Sequence, residues 1–225
     1  MNIEIKINKI VKSKNRKNIK IEVANDGYIT LTTPTHTTKE EIVDFLEDNY
    51  FWLENTLNKL STQPVFTHKY KENEEFMFLG KNYLLHINDN AHPKFKFDGD
   101  QFIISKNAIP SAQNYFENFY KTKAKVIIKA RVIDIASKLN IRFNNIRITS
   151  AIGRWGSCNS YGNVNFSWRL IMATPSAIDY VIIHEFCHLY EFNHSQKFWK
   201  LVEKIMPDYK VHKKWLADNS KYMIL

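Results

Sequence analysis

Two histidines and a glutamate stand close together in the segment HEFCH, residues 184–188. If this segment is helical, His184 and His188 lie on one face, about 40° apart around the axis and roughly 6 Å apart along it. One metal ion can bridge that separation. Zinc binds neutral imidazole nitrogens, and its catalytic sites combine three protein ligands with a position for water. Glu185 follows the first ligand, where its carboxylate can reach that water, as in the H-E-x-x-H pattern of zinc peptidases.

The alternative is that both histidines are ordinary core residues. The segment from Ala177 to Tyr190 is apolar almost all round, which predicts a central buried helix. Two histidines and a glutamate inside such a helix need polar partners, and a metal ion supplies them. We therefore favour the ligand interpretation.

His194 is the best third ligand, because two histidines of one helix need a group from beyond the helix end. It follows His188 at the offset of the metzincin pattern, but Glu191 stands where that pattern has glycine. The turn must therefore be made differently. Asn193 tolerates left-handed geometry and Ser195 can cap a following helix, so a reversal here brings His194 towards the metal. The alternative is an exposed loop histidine.

A longer set of motifs surrounds these residues. The segment from Arg154 to Leu216 resembles the YgjP-like metallopeptidase domain family, which is related to the WLM and SprT-like zincins. The residues that carry the resemblance are Arg154-Trp155-Gly156-Ser157-Cys158, Trp168-Arg169-Leu170, Pro175, Ile178-Asp179-Tyr180-Val181, His184-Glu185, His188-Leu189, Asn193-His194-Ser195, Phe198-Trp199, Met206-Pro207-Asp208-Tyr209 and Trp215-Leu216. Phe186 and Ser167 depart from the family pattern, and neither is a proposed ligand.

The resemblance implies a zinc-dependent hydrolase with a zincin-like fold. One zinc ion is expected on His184, His188 and His194. Glu185 is expected to serve as the catalytic acid and base, and the implied substrate is a peptide or protein.

Length and composition indicate the size of the core, the lack of membrane segments and the expected location. The chain has 225 residues, enough for one large domain or two small lobes with a real core. The first ten residues do not resemble a signal peptide, and no apolar run approaches membrane-spanning length. Two cysteines do not suggest a disulfide framework. We expect a cytoplasmic monomer without membrane association.

The net charge of +9 leaves other functions open. Basic clusters at residues 12–20 and 121–131 permit nucleic-acid binding, but no recognised motif or aromatic interleaving indicates it. One alternative is a metal-dependent hydrolase of a non-peptide substrate, such as a nucleoside triphosphate. Another is a nucleic-acid-associated protein in which zinc is structural.

The N-terminal half of the sequence has the periodicity of β structure. Alternating apolar residues predict strands at residues 3–7, 19–23, 29–31, 76–79, 83–87, 95–97 and 102–105. Asp26-Gly27 favours a tight hairpin between two of them. A capping box of Thr38 and Glu41 precedes a helix from about Lys39 to Leu60. The polar residues 61–75 then form a connection.

The C-terminal half is mainly helical. Helices are predicted at residues 111–139, 175–190, 196–206 and 208–218, and strands at residues 146–152 and 163–168. The long first helix is expected beside the metal helix, which Thr174 and Pro175 begin. An irregular loop over residues 154–162 joins the two strands, one of which is expected to pair with extended substrate.

These elements predict an α+β protein of two parts. Residues 1–105 form an antiparallel, β-rich accessory lobe with one helix, and residues 106–225 form a compact zincin-like catalytic lobe with a central metal-binding helix. The histidines of the first part have no ligand spacing, so ordinary roles are expected for His36, His68, His86 and His92. The accessory lobe is expected to shape the substrate cleft.

The residues of the 154–158 motif allow two interpretations. Arg154 could stabilise an oxyanion or bind a substrate carboxylate, and Cys158 could approach the metal. We favour structural roles, in which Trp155 fills the core and Arg154 pairs with an acid such as Asp179. Cys187 points away from His184 in a helix, which predicts a small buried residue.

Overall fold

The protein is a mixed α+β chain with several small sheets and five α-helices among the described residues. The computed structural model describes residues 6–225 apart from 17, 25, 50–52, 54–55, 58–59, 61–66, 90 and 153. It divides into two compact units, residues 1–65 and residues 66–225. Among the described residues, no helix combines the length and the apolar character needed to cross a membrane.

The first unit contains a three-stranded sheet and a helix. Its elements are β1 (Lys9–Ser13), β2 (Lys20–Val23), β3 (Ile29–Pro34) and α1 (Lys39–Asp48). Strand β3 is central, with β1 parallel and β2 antiparallel to it. Ile29 and Leu31 alternate into the core of this unit, as their spacing predicts.

Two local predictions hold in this unit. Gly27 has φ +82° in the tight turn between β2 and β3. The N–H of Thr38 donates to Glu41 Oε2 at 2.9 Å, and the N–H of Glu41 donates to Thr38 Oγ1 at 3.2 Å, which completes the capping box. The strand predicted at residues 3–7 lies partly outside the described residues, and the observed strand starts later, at Lys9. The predicted continuation of α1 to residue 60 lies largely outside them.

The second unit begins with a four-stranded sheet. Its strands are β4 (Glu75–Phe78), β5 (Lys81–Asn88), β6 (Phe95–Phe97) and β7 (Phe102–Ser105), in the order β4-β5-β7-β6. The pair β5 and β7 is parallel and the other two pairs are antiparallel. The predicted strands are therefore present and antiparallel pairs occur in both sheets, but β5–β7 and β1–β3 are parallel pairs, which the sequence did not predict. Alternating apolar residues show which face of a strand is buried and carry no information on strand direction.

This sheet packs on the first long helix of the unit. A 3₁₀ helix (Lys106–Ser111) leads into α2 (Ala112–Lys138), which ends before Asn140 at φ +50°. Phe116 of α2 stacks on Phe76 at 3.9 Å and contacts Phe102 at 4.9 Å between ring centroids. The sheet over residues 75–105 thus shares one core with the helices that follow, and the compact units divide at residue 65 rather than at residue 105. A functional division at residue 105 stays a prediction.

The remaining elements surround one buried helix. They are β8 (Asn145–Thr149), β9 (Gly156–Cys158), β10 (Asn163–Ser167), a 3₁₀ helix (Trp168–Met172), α3 (Pro175–Cys187), α4 (Gln196–Ile205), α5 (Tyr209–Asn219) and a 3₁₀ helix (Ser220–Tyr222). The three strands form a sheet in the order β8-β10-β9. Strand β9 lies within the segment that the sequence predicted to be an irregular loop.

Helix α3 begins as predicted and is tied to α2. The side chain of Thr174 accepts the N–H of Ala177 at 3.2 Å. Asp179 accepts two hydrogen bonds of 2.6 Å from the guanidinium of Arg131 on α2. The predicted pairing of Asp179 with Arg154 is therefore wrong, because Arg131 of α2 binds Asp179 in a favourable bidentate geometry.

The turn between β4 and β5 also contacts the start of α3. The N–H of Leu79 donates to Ile171 O at 3.0 Å, and the N–H of Gly80 donates to Met172 O at 2.8 Å. Gly80 has φ +77°, and a Cβ at this position would lie 2.8 Å from Thr174 Cα. The turn therefore packs directly against the capping residue of α3.

Gly80→Ala should destabilise the second unit by about 2–4 kcal/mol, because it combines left-handed strain with a clash against Thr174 backbone. The matched control is Gly99→Ala, where φ is +113° and no atom lies within 4 Å of the added Cβ. That control should cost about 1 kcal/mol from strain alone. Urea unfolding in the presence of a chelator measures both, and equal losses would contradict the packing of the turn on α3.

Candidate metal centre

Three histidines come together at the C-terminal end of α3. His184 lies in its last turn, His188 is its C-cap residue, and His194 lies in the loop before α4. The Nε2 atom of His194 is 3.0 Å from that of His184 and 3.2 Å from that of His188. The structure thus brings together the three histidines that the sequence predicted to be metal ligands.

Two of the separations among these nitrogens fit a tetrahedral metal ion, and all three nitrogens lie within 4.8 Å of one another. Two imidazole nitrogens that each lie about 2.0–2.1 Å from one zinc are about 3.3–3.4 Å from each other. The observed separations of 3.0 and 3.2 Å are close to that value. The donor set is all imidazole, which suits zinc and other borderline metals.

The ring orientations and protonation states also suit metal binding. His188 Nδ1 lies 3.0 Å from Glu191 O, to which it donates, so its Nε2 is left as the acceptor that faces the cluster. Burial, together with the charges of His188, His194 and Lys213, lowers the pKa of His184 to about 3. Burial and the charges of His188 and Lys213 also lower the pKa of His194. Both rings are therefore neutral near pH 7, and the neutral ring binds metal.

The chain reverses direction between α3 and α4 in a turn that the side chain of Asn193 closes. The side chain of Asn193 accepts the N–H of Ser195 at 3.2 Å, and Ser195 Oγ accepts the N–H of Phe198 at 3.4 Å. Ser195 therefore caps α4, as predicted. Asn193 does not adopt the left-handed geometry that it would tolerate, and its side chain closes the turn with ordinary backbone angles.

Glu185 lies on the same helix beside the histidines and is 6% exposed. Burial raises the pKa of its carboxyl to about 7, and the charge of Arg154 acts in the opposite direction. Strand β9 packs directly on this side chain. A Cβ on Gly156 would lie 2.6 Å from Glu185 Oε1 and 2.7 Å from its Cγ, so only glycine fits here without displacement.

The histidines and Glu185 open into a cleft of about 670 Å³. It is lined by Arg154, Trp155, Gly156, Ser157, Cys158, Tyr180, Val181, His184, Glu185, His188, Phe192, His194, Lys213, Leu216, Ala217 and Ser220. An open cleft of this size can accept an extended chain as well as a small molecule.

Strand β9 forms one wall of the cleft and is an edge strand of its sheet within the described part of the chain. Ser167 N–H donates to Trp155 O at 2.8 Å just before β9 begins. Because such bonds alternate along an antiparallel pair, the N–H and C=O groups of Gly156 and Cys158 point away from β10. They face the open edge of the sheet.

The other candidates in the 154–158 motif occupy different positions. Arg154 is exposed and lines the cleft, whereas Trp155 is half-buried against the core. Burial and the charge of Glu185 raise the pKa of Cys158 to about 11, and this residue does not join the histidine cluster. Cys187 is buried, as predicted, and burial raises its pKa to about 12.

Sequence reasoning missed Lys213 as a residue of the cleft. It lies on α5, where residues 213, 216 and 217 line the cleft together with residue 220, which directly follows the helix. Those positions recur at helical spacing, so a search for the inward face of α5 could have found them. Two histidines of the first predicted lobe contact carboxylates. His68 Nδ1 lies 2.9 Å from Glu74 Oε1, and His86 Nδ1 lies 2.9 Å from Glu72 Oε1.

A buried H-E-x-x-H helix, a third histidine and an adjoining cleft define a candidate metallohydrolase site. The family comparison agrees with this class, because residues 17–219 match the YgjP-like family, metallopeptidase domain. The match covers most of the chain, and the protein therefore belongs to this family. Membership supports a metal-dependent, peptidase-like role.

The chain also resembles a solved structure in part. The crystal structure of the metallopeptidase zymogen abylysin from Pyrococcus abyssi aligns over 40% of this chain and 93% of that chain, with 20% sequence identity and a TM-score of 0.36. No curated protein matches the sequence significantly.

Gly156→Ala should lower the free energy of unfolding by about 1–3 kcal/mol, because the new methyl overlaps a buried carboxylate that has little room to move. Adding Glu185→Asp should recover part of the loss, since the shorter side chain withdraws from the methyl. Ser157→Ala, one residue along β9, is the control for a general weakness of this strand. Urea unfolding of metal-free proteins measures all three, and a Gly156→Ala protein as stable as wild type would rule out the contact.

Proposed function

We propose that this protein is a zinc-dependent metallopeptidase that hydrolyses peptide bonds in the cleft at the end of α3. The observation that carries the proposal is the convergence of three imidazole nitrogens beside a buried glutamate. Membership of a metallopeptidase-domain family supports the choice of a peptide bond over other hydrolysable bonds. The cytoplasmic location and the monomeric state stay predictions from the sequence.

His184, His188 and His194 would hold one zinc ion through their Nε2 atoms. The neutral state of the His184 and His194 rings and the two Nε2 separations of 3.0 and 3.2 Å support this assignment. When bound, the ion would supply a Lewis acid that polarises a substrate carbonyl and makes a water molecule easier to deprotonate.

Glu185 would be the general base and then the general acid. Its carboxylate would take a proton from the attacking water and deliver it to the nitrogen of the departing amine. Burial raises the pKa of Glu185 to about 7, which favours both uptake and release of a proton near neutral pH. Close packing against Gly156 would keep the carboxylate in one position.

The open edge of β9 would align the substrate. An extended peptide could add to this edge as a further strand, with its backbone bonded to the outward N–H and C=O groups of Gly156 and Cys158. The central strand β10 is already paired on both sides, and β8 does not line the cleft. We therefore assign the predicted substrate pairing to β9 rather than to either strand that the sequence nominated.

Glu185→Gln should keep about one zinc per chain and lose about 10²–10⁴-fold in kcat, because an amide cannot accept the proton. Glu191→Gln is the matched control. Glu191 lies near the ligands, but its contact with His188 runs through the backbone carbonyl, so its zinc content and activity should be unchanged. Elemental analysis and cleavage of a diverse peptide mixture, read by mass spectrometry, measure both properties.

Two outcomes would contradict this proposal. A Glu185→Gln protein that cleaves peptides at the wild-type rate would remove Glu185 as the base. Zinc-loaded wild-type protein that cleaves none of the mixture but hydrolyses nucleoside triphosphates would favour the non-peptide alternative.

A further inference from the structure

Two cationic side chains border the cleft from separate elements. Arg154 precedes β9, on the side of Glu185, and Lys213 lies on α5, on the side of His184 and His194. Neither forms an ion pair or a hydrogen bond with another described residue, so neither charge is neutralised within the described structure.

Lys213 is held in place by an aromatic stack. Its Nζ lies 4.3 Å from the centroid of the Trp199 ring. Trp199 in turn stacks on His194, with 5.7 Å between centroids, and on Tyr209, with 5.4 Å. The lysine and a candidate ligand thus contact the same indole, which fixes the ammonium group beside the histidine cluster.

The cleft has no matching negative charge. Among the described residues that line it, Glu185 is the one acidic side chain, and it is buried under Gly156. Two positive charges beside such a wall attract an anionic group from solution. By contrast, Lys214 on the same helix forms an ion pair with Asp218 at 2.7 Å.

We propose that this cleft selects peptides that carry a carboxylate close to the scissile bond, with Lys213 as the main contact and Arg154 as the second. The inference rests on the proposed peptidase function and names its substrate class. Because the proposed substrate is a peptide, the anionic group that it offers to these two cations is a carboxylate. The carboxylate can come from an acidic side chain or from the end of a peptide chain.

The test uses one defined peptide library with two readouts. Peptides carry Glu or Gln at matched positions, and each is made with a free or an amidated C-terminus. Binding to immobilised, zinc-loaded Glu185→Gln protein measures selection without turnover, and cleavage by zinc-loaded wild type measures activity. Mass spectrometry counts the peptides retained and the peptides cut.

Carboxylate-bearing peptides should be retained about 5–10-fold better than their amide partners, because one or two charge contacts in a partly enclosed site contribute modestly. Lys213→Met, which keeps the length and removes the charge, should reduce the preference to less than about twofold. Lys213→Glu should invert it, so that the Gln peptides and the amidated peptides are retained better than their carboxylate partners. A rise in salt to about 0.5 M should weaken the preference as well.

The matched control is Lys214→Met, which alters the neighbouring lysine outside the cleft and should leave the preference unchanged. If Glu peptides are retained better than Gln peptides, the carboxylate that is recognised belongs to an acidic side chain. If peptides with a free C-terminus are retained better than amidated ones, it belongs to the chain end. Equal retention of acidic and amide peptides, or a preference that survives Lys213→Met, would overturn the inference. Retention of acidic peptides without any cleavage would instead overturn the proposed peptidase activity and leave the selection intact.

Discussion

The burial of α3 is the constraint on which the site depends. This helix is apolar on nearly every side, yet its C-terminal end carries two histidines and a glutamate. Neighbouring elements can pack against every side of an apolar helix. The polar groups at its C-terminal end therefore face the cleft, where they are not covered by apolar side chains. The ion pair from α2, the turn at Gly80 and strand β9 hold the helix in that position. The site is therefore placed by packing.

The same burial leaves polar groups that need a partner. His184 Nδ1 is buried and has no hydrogen-bond partner among the described residues. Glu185 is buried without a neutralising cation in direct contact, and its pKa is raised to about 7 by that burial. Such groups cost stability in a purely structural protein. Their concentration at one end of one helix is the pattern expected where stability is given up for chemistry.

The sequence predicted the features that depend on the spacing of residues within one helix or turn. The three histidines, the caps at Thr174 and Ser195 and the bounds of α2 follow from patterns within one helix or turn, where geometry is fixed by residue count. It did not predict what depends on packing between distant segments. Asp179 pairs with Arg131, 48 positions away, and the parallel strand pairs join segments that are not consecutive. Strand β9 has three residues, too few for periodicity to be seen.

The central claim is that three imidazoles hold one zinc ion at the end of α3, and X-ray absorption at the zinc edge tests it most directly. Zinc-loaded wild type should give only nitrogen and oxygen neighbours at about 2.0–2.1 Å, with three imidazoles in the fit. His194→Ala should retain at most two of them or lose the metal. A sulfur neighbour at about 2.3 Å would point to a cysteine ligand instead. That result, or a spectrum unchanged by His194→Ala, would contradict the three-histidine site.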